Sequence, residues 1–298
     1  MSKTWIVDAI GRGPYDQLAS ELPGSTVQSI WLEVTRARAG ARTPAEVLAQ
    51  YERDLFVRPG FVDQRLAVEI DGHLLAAAAG FEAIELSPLT PLGTCTSVAL
   101  GDQNRIVSAL RGLEVVSDPT NAMTLEAATR LKKARDPVHL ATCMRVVRAQ
   151  PVPKHVGWSQ TFRMFALASG GFETANHGFT VEAVLRHLRA MLAALDRFEQ
   201  HGYRFGVRRI ELLATPERAE LADRIAKQVG ADRAVLEHAY YSAGLRYKIY
   251  VTDPDGNEMF LVDGGVFDWL AKLLANRRAV VVASGTGAQL FPMFRATS

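Results

Sequence analysis

A mixed α/β domain organised around an antiparallel sheet is the fold class the sequence predicts. Three observations carry it. Leu245 to Thr252 and Glu258 to Val262 flank Asp253-Pro-Asp-Gly-Asn257, whose Asp-Gly-Asn tolerates the positive φ angles of a tight hairpin turn. Thr180 to His201 carries Val184, Leu185, Leu188, Met191, Leu192 and Leu195 at helical spacing, an apolar stripe that needs a surface to cover. His139 to Gln150 and Gln160 to Ala168 read as two strands joined by the loop Pro151-Val-Pro153-Lys-His-Val-Gly157. Hairpins interspersed with such helices fit a sheet with helices packed on it.

The remaining elements follow in chain order. Tyr15 to Leu22 is a short helix candidate that stops at Pro23-Gly24. Val27 to Val34 reads as a strand, and Ala37 to Pro44 as a loop of small residues. Thr43-Pro44-Ala-Glu46 opens a helix that runs to about Val57, with Thr as N-cap, Pro at the first helical position and an acid in the first turn. A second helix fills 62–79, with a hairpin turn at Asp71-Gly72 as the alternative. Gly80 to Pro88 is a short alternating strand. Gln103 to Leu110 has helix-like spacing, and Leu113 to Val116 is a strand candidate. Asp118-Pro119-Thr120-Asn121 caps a helix over 122–134. Val207 to Ala214 is a strand, and Thr215-Pro216 introduces a helix over 216–228. Phe267 to Leu274 is a helix, and Ala279 to Ala283 is an apolar strand ending at Ser284-Gly-Thr-Gly287. No internal repeat or low-complexity segment is present.

Composition narrows the function classes. The 298 residues are 48% hydrophobic and 22% charged, ordinary globular values. With 34 basic and 32 acidic residues, the net charge of +2 gives no basic footprint for nucleic acid. Two cysteines, Cys95 and Cys143, suffice neither for a disulfide framework nor for a cysteine-rich zinc site, and read as buried free thiols. No charged start leads into an apolar run, and no stretch approaches the about 18 apolar residues that span a bilayer. The expectation is a cytoplasmic protein with no membrane segment. It divides into an N-terminal extension over 1–60 and a core over 61–298.

Five segments of the core, in order, resemble the motifs of a known family. The helix over 62–79, Gly80-Phe-Glu-Ala-Ile-Glu-Leu-Ser-Pro88 and then Pro88-Leu-Thr-Pro91-Leu-Gly93 look like motif 1 of the class II aminoacyl-tRNA synthetases. Arg145-Val-Val-Arg148-Ala-Gln150, the loop, and Gly157-Trp-Ser-Gln-Thr-Phe162 look like motif 2. Ala239-Tyr240-Tyr241-Ser-Ala-Gly244 is similar to the Tyr-Tyr element of the histidyl branch. Gly264-Gly265-Val266-Phe267-Asp268 is similar to its Gly-Gly-Arg-Tyr-Asp, and Ser284-Gly285-Thr-Gly287-Ala-Gln289-Leu290 resembles motif 3. The resemblance covers roughly 60–298 and is nearest to histidyl-tRNA synthetase and its paralogue, the regulatory subunit of ATP phosphoribosyltransferase. It implies a class II synthetase-like antiparallel sheet flanked by helices.

The resemblance also implies roles. Arg148 aligns with the arginine that contacts the α-phosphate of ATP, where a fixed guanidinium stabilises developing charge, and so is the candidate catalytic residue. Phe162 aligns with the ring that stacks on adenine. Gln150, Gly285 and Gly287 complete the expected ATP site, with Mg²⁺ as the accompanying ion. Thr120 and Asn121 sit where the branch recognises the substrate amino group. Tyr241, Gly264, Gly265 and Asp268 fall in the substrate pocket, the glycines letting a strand pass close beneath a ligand.

Departures from the pattern are consistent with one another. Leu290 stands at the motif 3 arginine, Leu236 nearest the pocket arginine, Thr120 at the amino-group glutamate, Val266 at the Gly-Gly-Arg arginine and Lys248 at a strand glutamate. Scaffold residues are kept while charged chemistry is lost, and the sequence ends just after motif 3. The expectation is a paralogue that does not charge tRNA, binding an amino-acid-like or nucleotide ligand and pairing as a homodimer through motif 1. Two alternatives stay open: an active ATP-dependent ligase with a non-tRNA acceptor, and a regulatory subunit acting on a partner enzyme.

Overall fold

The computed structural model describes residues 4–150, 159–253 and 255–296. The expected loop over 151–157, Trp158 and Pro254 lie outside the described residues. An eight-stranded sheet forms the body, in the order β1-β5-β6-β11-β10-β9-β7-β8. Its strands are β1 (Glu82–Ala83), β5 (Val138–Val147), β6 (Thr161–Phe172), β7 (Arg208–Ala214), β8 (Asp232–Val235), β9 (Leu245–Thr252), β10 (Glu258–Phe267) and β11 (Ala279–Gly287). All pairings are antiparallel except the two-residue β1 on β5 and the edge strand β8 on β7. A second, three-stranded sheet joins β2 (Leu89–Pro91), β3 (Ser108–Ala109) and β4 (Leu113–Val115).

The central helix is α7 (Gly178–Glu199), preceded by α5 (Gln64–Ala77) and α6 (Pro119–Leu131) and followed by α8 (Ala219–Val229) and α9 (Trp269–Leu273). Helix α7 buries Val184, Leu185, Leu188, Met191 and Leu195 at 4% exposure or less, the stripe its spacing predicts. Each such side chain contributes on the order of 2 kcal/mol. The stripe packs in one cluster with Phe165, Leu167, Tyr247, Ile249 and Val282 from the strands. Helix α5 lies beside α7 and is fastened to β6, where Arg163 Nε donates to both Asp71 oxygens at 2.8 and 2.7 Å. Asp71 is therefore an interior helical position and not the corner of a hairpin.

The hairpin at 253–257 is present. Asp253 accepts from the backbone N–H of Asp255 and Asn257, and Gly256 takes φ +87. The motif 2 strands pair over Val138–Val147 and Thr161–Phe172. The apolar strand of the motif 3 region continues through Gly287, further than Ala283, because Ser284 to Gly287 keep their ladder with β6.

Several expectations are corrected. The strand over Val27 to Val34 is instead part of α3 (Gly24–Gly40). Val27, Ile30, Trp31 and Val34 recur with helical period, which overrides the β-branched character of the two valines and Ile30. That helix also absorbs Ala37 to Gly40, expected as loop. Helix α4 (Pro44–Arg53) has the predicted Thr43–Glu46 capping box but ends before Val57, at Asp54. Two shorter helices, α1 (Thr4–Ile10) and α2 (Arg12–Asp16), and a π-helical turn over Gln17–Glu21 complete the N-terminal segment, and neither α3 nor α4 buries a residue. The strand expected over Gly80 to Pro88 shrinks to β1. The helix expected over Gln103 to Leu110 is a single turn, Gln103–Arg105, followed by β3. Gln103 is drawn away to the Glu114 carboxylate at 3.1 Å, and Arg111 and Gly112 adopt φ of 72 and 68 to turn the chain into β4. The edge strand β8 had no sequence signal, having two charged residues among its four. Among the described residues no helix is long and apolar enough to cross a membrane.

Candidate functional site

Alternation along β9 sends Leu245, Tyr247 and Ile249 into the α7 core and Arg246, Lys248 and Tyr250 to the other face. On β10 a bulge between Phe260 and Val262 shifts the phase by one residue, so that Phe260 and Asp263 share that second face. This face is the floor of a cavity of about 750 Å³. Its roof and sides come from the loop after β2, the start of α6, the end of β5 and the loop before β9. That volume lies in the range typical of small-molecule sites.

One end of the cavity is built by α6 and β5. Asp118 caps α6, accepting from the Thr120 N–H at 3.0 Å and the Thr120 hydroxyl at 2.7 Å. Pro119 occupies the first helical position, and Thr120 and Asn121 face the cavity from the first turn. Asn121 is 3% exposed, and its side-chain carbonyl oxygen has no hydrogen-bond partner. Arg148 stands one step past β5, its N–H bonded to the Gln160 carbonyl. Its Nε donates to the Ser117 carbonyl at 2.9 Å and its Nη2 reaches Asp118 at 3.5 Å. Cys95 also faces the cavity, its thiol pushed up by burial. The segment carrying it is held by Glu114, 2% exposed, which accepts from the N–H groups of Gly93 and Cys95 at 2.9 and 2.8 Å.

The other end is a second closed ion pair. Arg246 Nε and Nη2 donate to the two oxygens of Asp263, each at 2.9 Å. The Tyr241 hydroxyl donates to the same carboxylate at 2.6 Å. The Arg246 guanidinium lies 4.6 Å over the Tyr241 ring and 5.8 Å from the Phe260 ring. Burial, then the Asp263 charge, pushes the Tyr241 hydroxyl well above the usual tyrosine range, so it is a fixed donor at neutral pH. Between the two ends the floor is bare backbone. A Cβ on Gly264 would meet the Tyr247 ring from below, and one on Gly265 would meet Tyr241. No larger residue fits either position.

Of the sequence-predicted residues, Arg148, Gln150, Thr120, Asn121, Tyr241, Gly264 and Gly285 share this one cavity. The others stand outside its wall. Phe162 lies with its ring 5.0 Å from the Arg148 guanidinium, so the arginine rests over the expected stacking ring. Gly287 packs on Gln289 and Leu290, and Leu290 is 9% exposed. Gly265 supports Tyr241 from beneath. Asp268 accepts from the Ser242 hydroxyl at 2.6 Å and pairs with Lys272 at 3.0 Å, fastening the loop before β9 to α9. Lys248 is farther along the floor strand, at 3.1 Å from the Tyr250 hydroxyl.

Tyr240, half of the expected Tyr-Tyr element, lines the cavity beside Tyr241, while sequence reasoning missed Arg246, Asp263, His238 and the pairing role of Asp118. The period-two pattern of β9 held the signal for Arg246. Nothing local marked Asp263 as its partner, 17 positions away. Among the described residues no three His, Cys, Asp or Glu side chains converge as a metal site.

Solved structures share this architecture. The chain aligns with an ATP phosphoribosyltransferase regulatory subunit/histidyl-tRNA synthetase from Bacillus halodurans C at a TM-score of 0.59 and 16% identity, over 82% of this chain and 84% of that one. A histidine–tRNA ligase subunit from Alicyclobacillus acidocaldarius aligns at 0.57 and 14%, over 80% and 96% of the two chains. The apo histidyl-tRNA synthetase of S. aureus aligns at 0.56 and 11%, over 78% and 67%. No protein-family model and no curated protein matches the sequence. The fold is that of the class II synthetase catalytic core.

Proposed function

We propose that this chain is a paralogue of the class II synthetases that does not charge tRNA, and that its cavity binds a small amino-acid-like molecule. One observation carries the reading: every arginine that lines the cavity is matched to a carboxylate, Arg148 to Asp118, Arg246 to Asp263 and Arg105 to Asp102. Paired charges suit a zwitterion, which offers one anion to a base and one cation to an acid. They suit a triphosphate poorly, since several negative charges would face cations already neutralised. Arg148 is the donor for the ligand's carboxylate, and Asp118 and Asp263 are the acids available to its amino group. Leu290 and Val266, both buried, offer no charge where the resemblance expects arginine.

Thermal-shift screening with the standard amino acids, followed by calorimetry on wild type and Arg148→Ala, tests this. At least one amino acid is expected to bind, about tenfold more weakly in the variant, a loss of about 1.4 kcal/mol. Binding that is indifferent to Arg148 would remove the proposal.

A second reading is an ATP-dependent ligase that activates a carboxylate for a non-tRNA acceptor. It is favoured by Arg148, Gln150 and Gly285 sharing one cavity large enough for a nucleotide. Arg148 would then meet the α-phosphate and Mg²⁺ would neutralise the remaining charge. Pyrophosphate exchange dependent on an amino acid would establish it. A regulatory role on a partner enzyme, as the name of the Bacillus halodurans protein suggests for that protein, would show as a stable co-purifying enzyme. In each reading the chain pairs as a homodimer through 62–88, so a monomeric mass by light scattering at micromolar concentration would count against that pairing.

A further inference from the structure

Beneath the cavity floor, on the α7 side of the sheet, lies a run of polar side chains that no ligand chemistry above it requires. His139 Nδ1 is 2.7 Å from Ser169 Oγ. Ser169 Oγ is 2.9 Å from His187 Nε2, and His187 Nδ1 is 2.8 Å from Ser284 Oγ. The four residues come from β5, β6, α7 and β11. His187, Ser169 and Ser284 are at most 2% exposed, whereas His139 is only half-buried. Ser284 pairs with Gly264 across the ladder and belongs to the cavity wall. The chain thus runs from a partly accessible imidazole to the floor.

Counting protons shows what it can carry. Each hydroxyl has one hydrogen, and neutral His187 has one N–H. Two arrangements satisfy every contact and use the Ser169 hydrogen; a third, in which Ser169 accepts from both imidazoles, would strand that hydrogen in a side chain that is 0% exposed and meets no other acceptor. In one, Ser284 O–H donates to His187 Nδ1, His187 Nε2–H donates to Ser169 Oγ, and Ser169 O–H donates to His139 Nδ1. In the other every direction is reversed: His139 Nδ1–H donates to Ser169, Ser169 to His187 Nε2, and His187 Nδ1–H to Ser284, whose hydrogen turns away. A doubly protonated His139 has no acceptor and permits only the second.

We propose that this run of side chains is a proton-sensitive relay, in which protonation of His139 fixes the tautomer of His187 and turns the Ser284 hydroxyl on the underside of the cavity floor. The surroundings suit the role. Facing the two imidazoles are Arg186 and Glu182 from α7 itself, paired with each other at 3.0 Å, and the Phe81 ring, 5.2 Å from His187 and 5.9 Å from His139. From β9 comes Tyr247, whose hydroxyl is buried beneath Gly264 and beside Ser284. No carboxylate within the run stabilises a cation on His187, and burial holds its pKa down to about 3. His139 is lowered less far, first by burial and then by Arg186, with Glu182 opposing. His139 therefore titrates before His187 as pH falls, and His187 responds by tautomer and not by charge.

The experiment is nitrogen-15 NMR of the histidine rings in the full chain from about pH 7.5 to about pH 5. Wild type is expected to show His187 moving to a single Nδ1–H tautomer as His139 titrates, without taking up a proton. In Ser169→Ala, His139 still titrates but the His187 tautomer no longer follows. If that variant fails to fold, His139→Gln, at the half-buried end, is expected to leave His187 independent of pH. A His187 tautomer that stays fixed while His139 titrates in wild type, or a His187 that itself protonates in this range, overturns the proposal. No ligand enters the test, so its outcome is independent of the proposed function.

Discussion

The fork between Arg163 and Asp71 fixes α5 to the sheet behind the site, and its worth can be predicted. At about 2.8 Å and an effective dielectric of about 20, the bare attraction is about 6 kcal/mol. Both side chains are mostly buried, at 23% and 11% exposure, so desolvation offsets much of it. Removing one partner strands the other charge. Asp71→Ala and Arg163→Met are each expected to cost about 3 kcal/mol. The double variant should cost about 2 kcal/mol less than the sum of the two, because neither charge is then left alone. Urea unfolding followed by circular dichroism measures all four proteins. With a slope of about 3 kcal/mol/M, each single variant loses about 1 M in midpoint. Additive losses, or single losses below about 1 kcal/mol, would refute the reasoning and leave α5 held by its apolar face alone.

Three further outcomes follow from the same geometry. Gly264→Ala places a methyl against the Tyr247 ring beneath the floor, and is expected to destabilise by about 2 kcal/mol, read as a lowered melting temperature. Asp118→Ala removes both the α6 cap and the partner of Arg148, costing about 1 kcal/mol by urea titration; a neutral result would mean the cap is redundant. His187 and His139 have pKa values lowered on folding, so their contribution is complete above the unfolded value of about 6.5 and is lost as pH falls toward the folded values. Between about pH 6.5 and 5, where carboxylates stay mostly ionised, urea stability should fall by about 1.4 kcal/mol per pH unit for each histidine that stays neutral. A flat profile there would show both imidazoles to be hydrated in the folded protein.

How much was legible follows physical lines. Helix α7 and the β9–β10 hairpin announce themselves because burial on one face imposes a period and a tight turn demands particular residues. The glycines at 264 and 265 could be read as a close approach, and Arg148, Thr120 and Asn121 as site residues, because motif order constrained them. Charge partnership was not legible. Asp118 and Asp263 become partners of Arg148 and Arg246 through contacts spanning 30 and 17 positions, and nothing local marks such pairs. The bulge that puts Phe260 and Asp263 on one face likewise arises from pairing with β9. The N-terminal helices were misread in part because Val27 to Val34 is both β-branched and helically spaced, and no buried contact in α3 decides between the two.

The central claim is that the cavity receives a zwitterion at Arg148. The most direct measurement is calorimetric titration of the amino acid that screening selects, with ATP and Mg²⁺ in parallel, into wild type and Arg148→Ala. The account predicts amino-acid binding that weakens about tenfold in the variant, with ATP binding absent or far weaker. Tight ATP binding that vanishes in Arg148→Ala, with no amino-acid response, would contradict it and return the site to nucleotide chemistry.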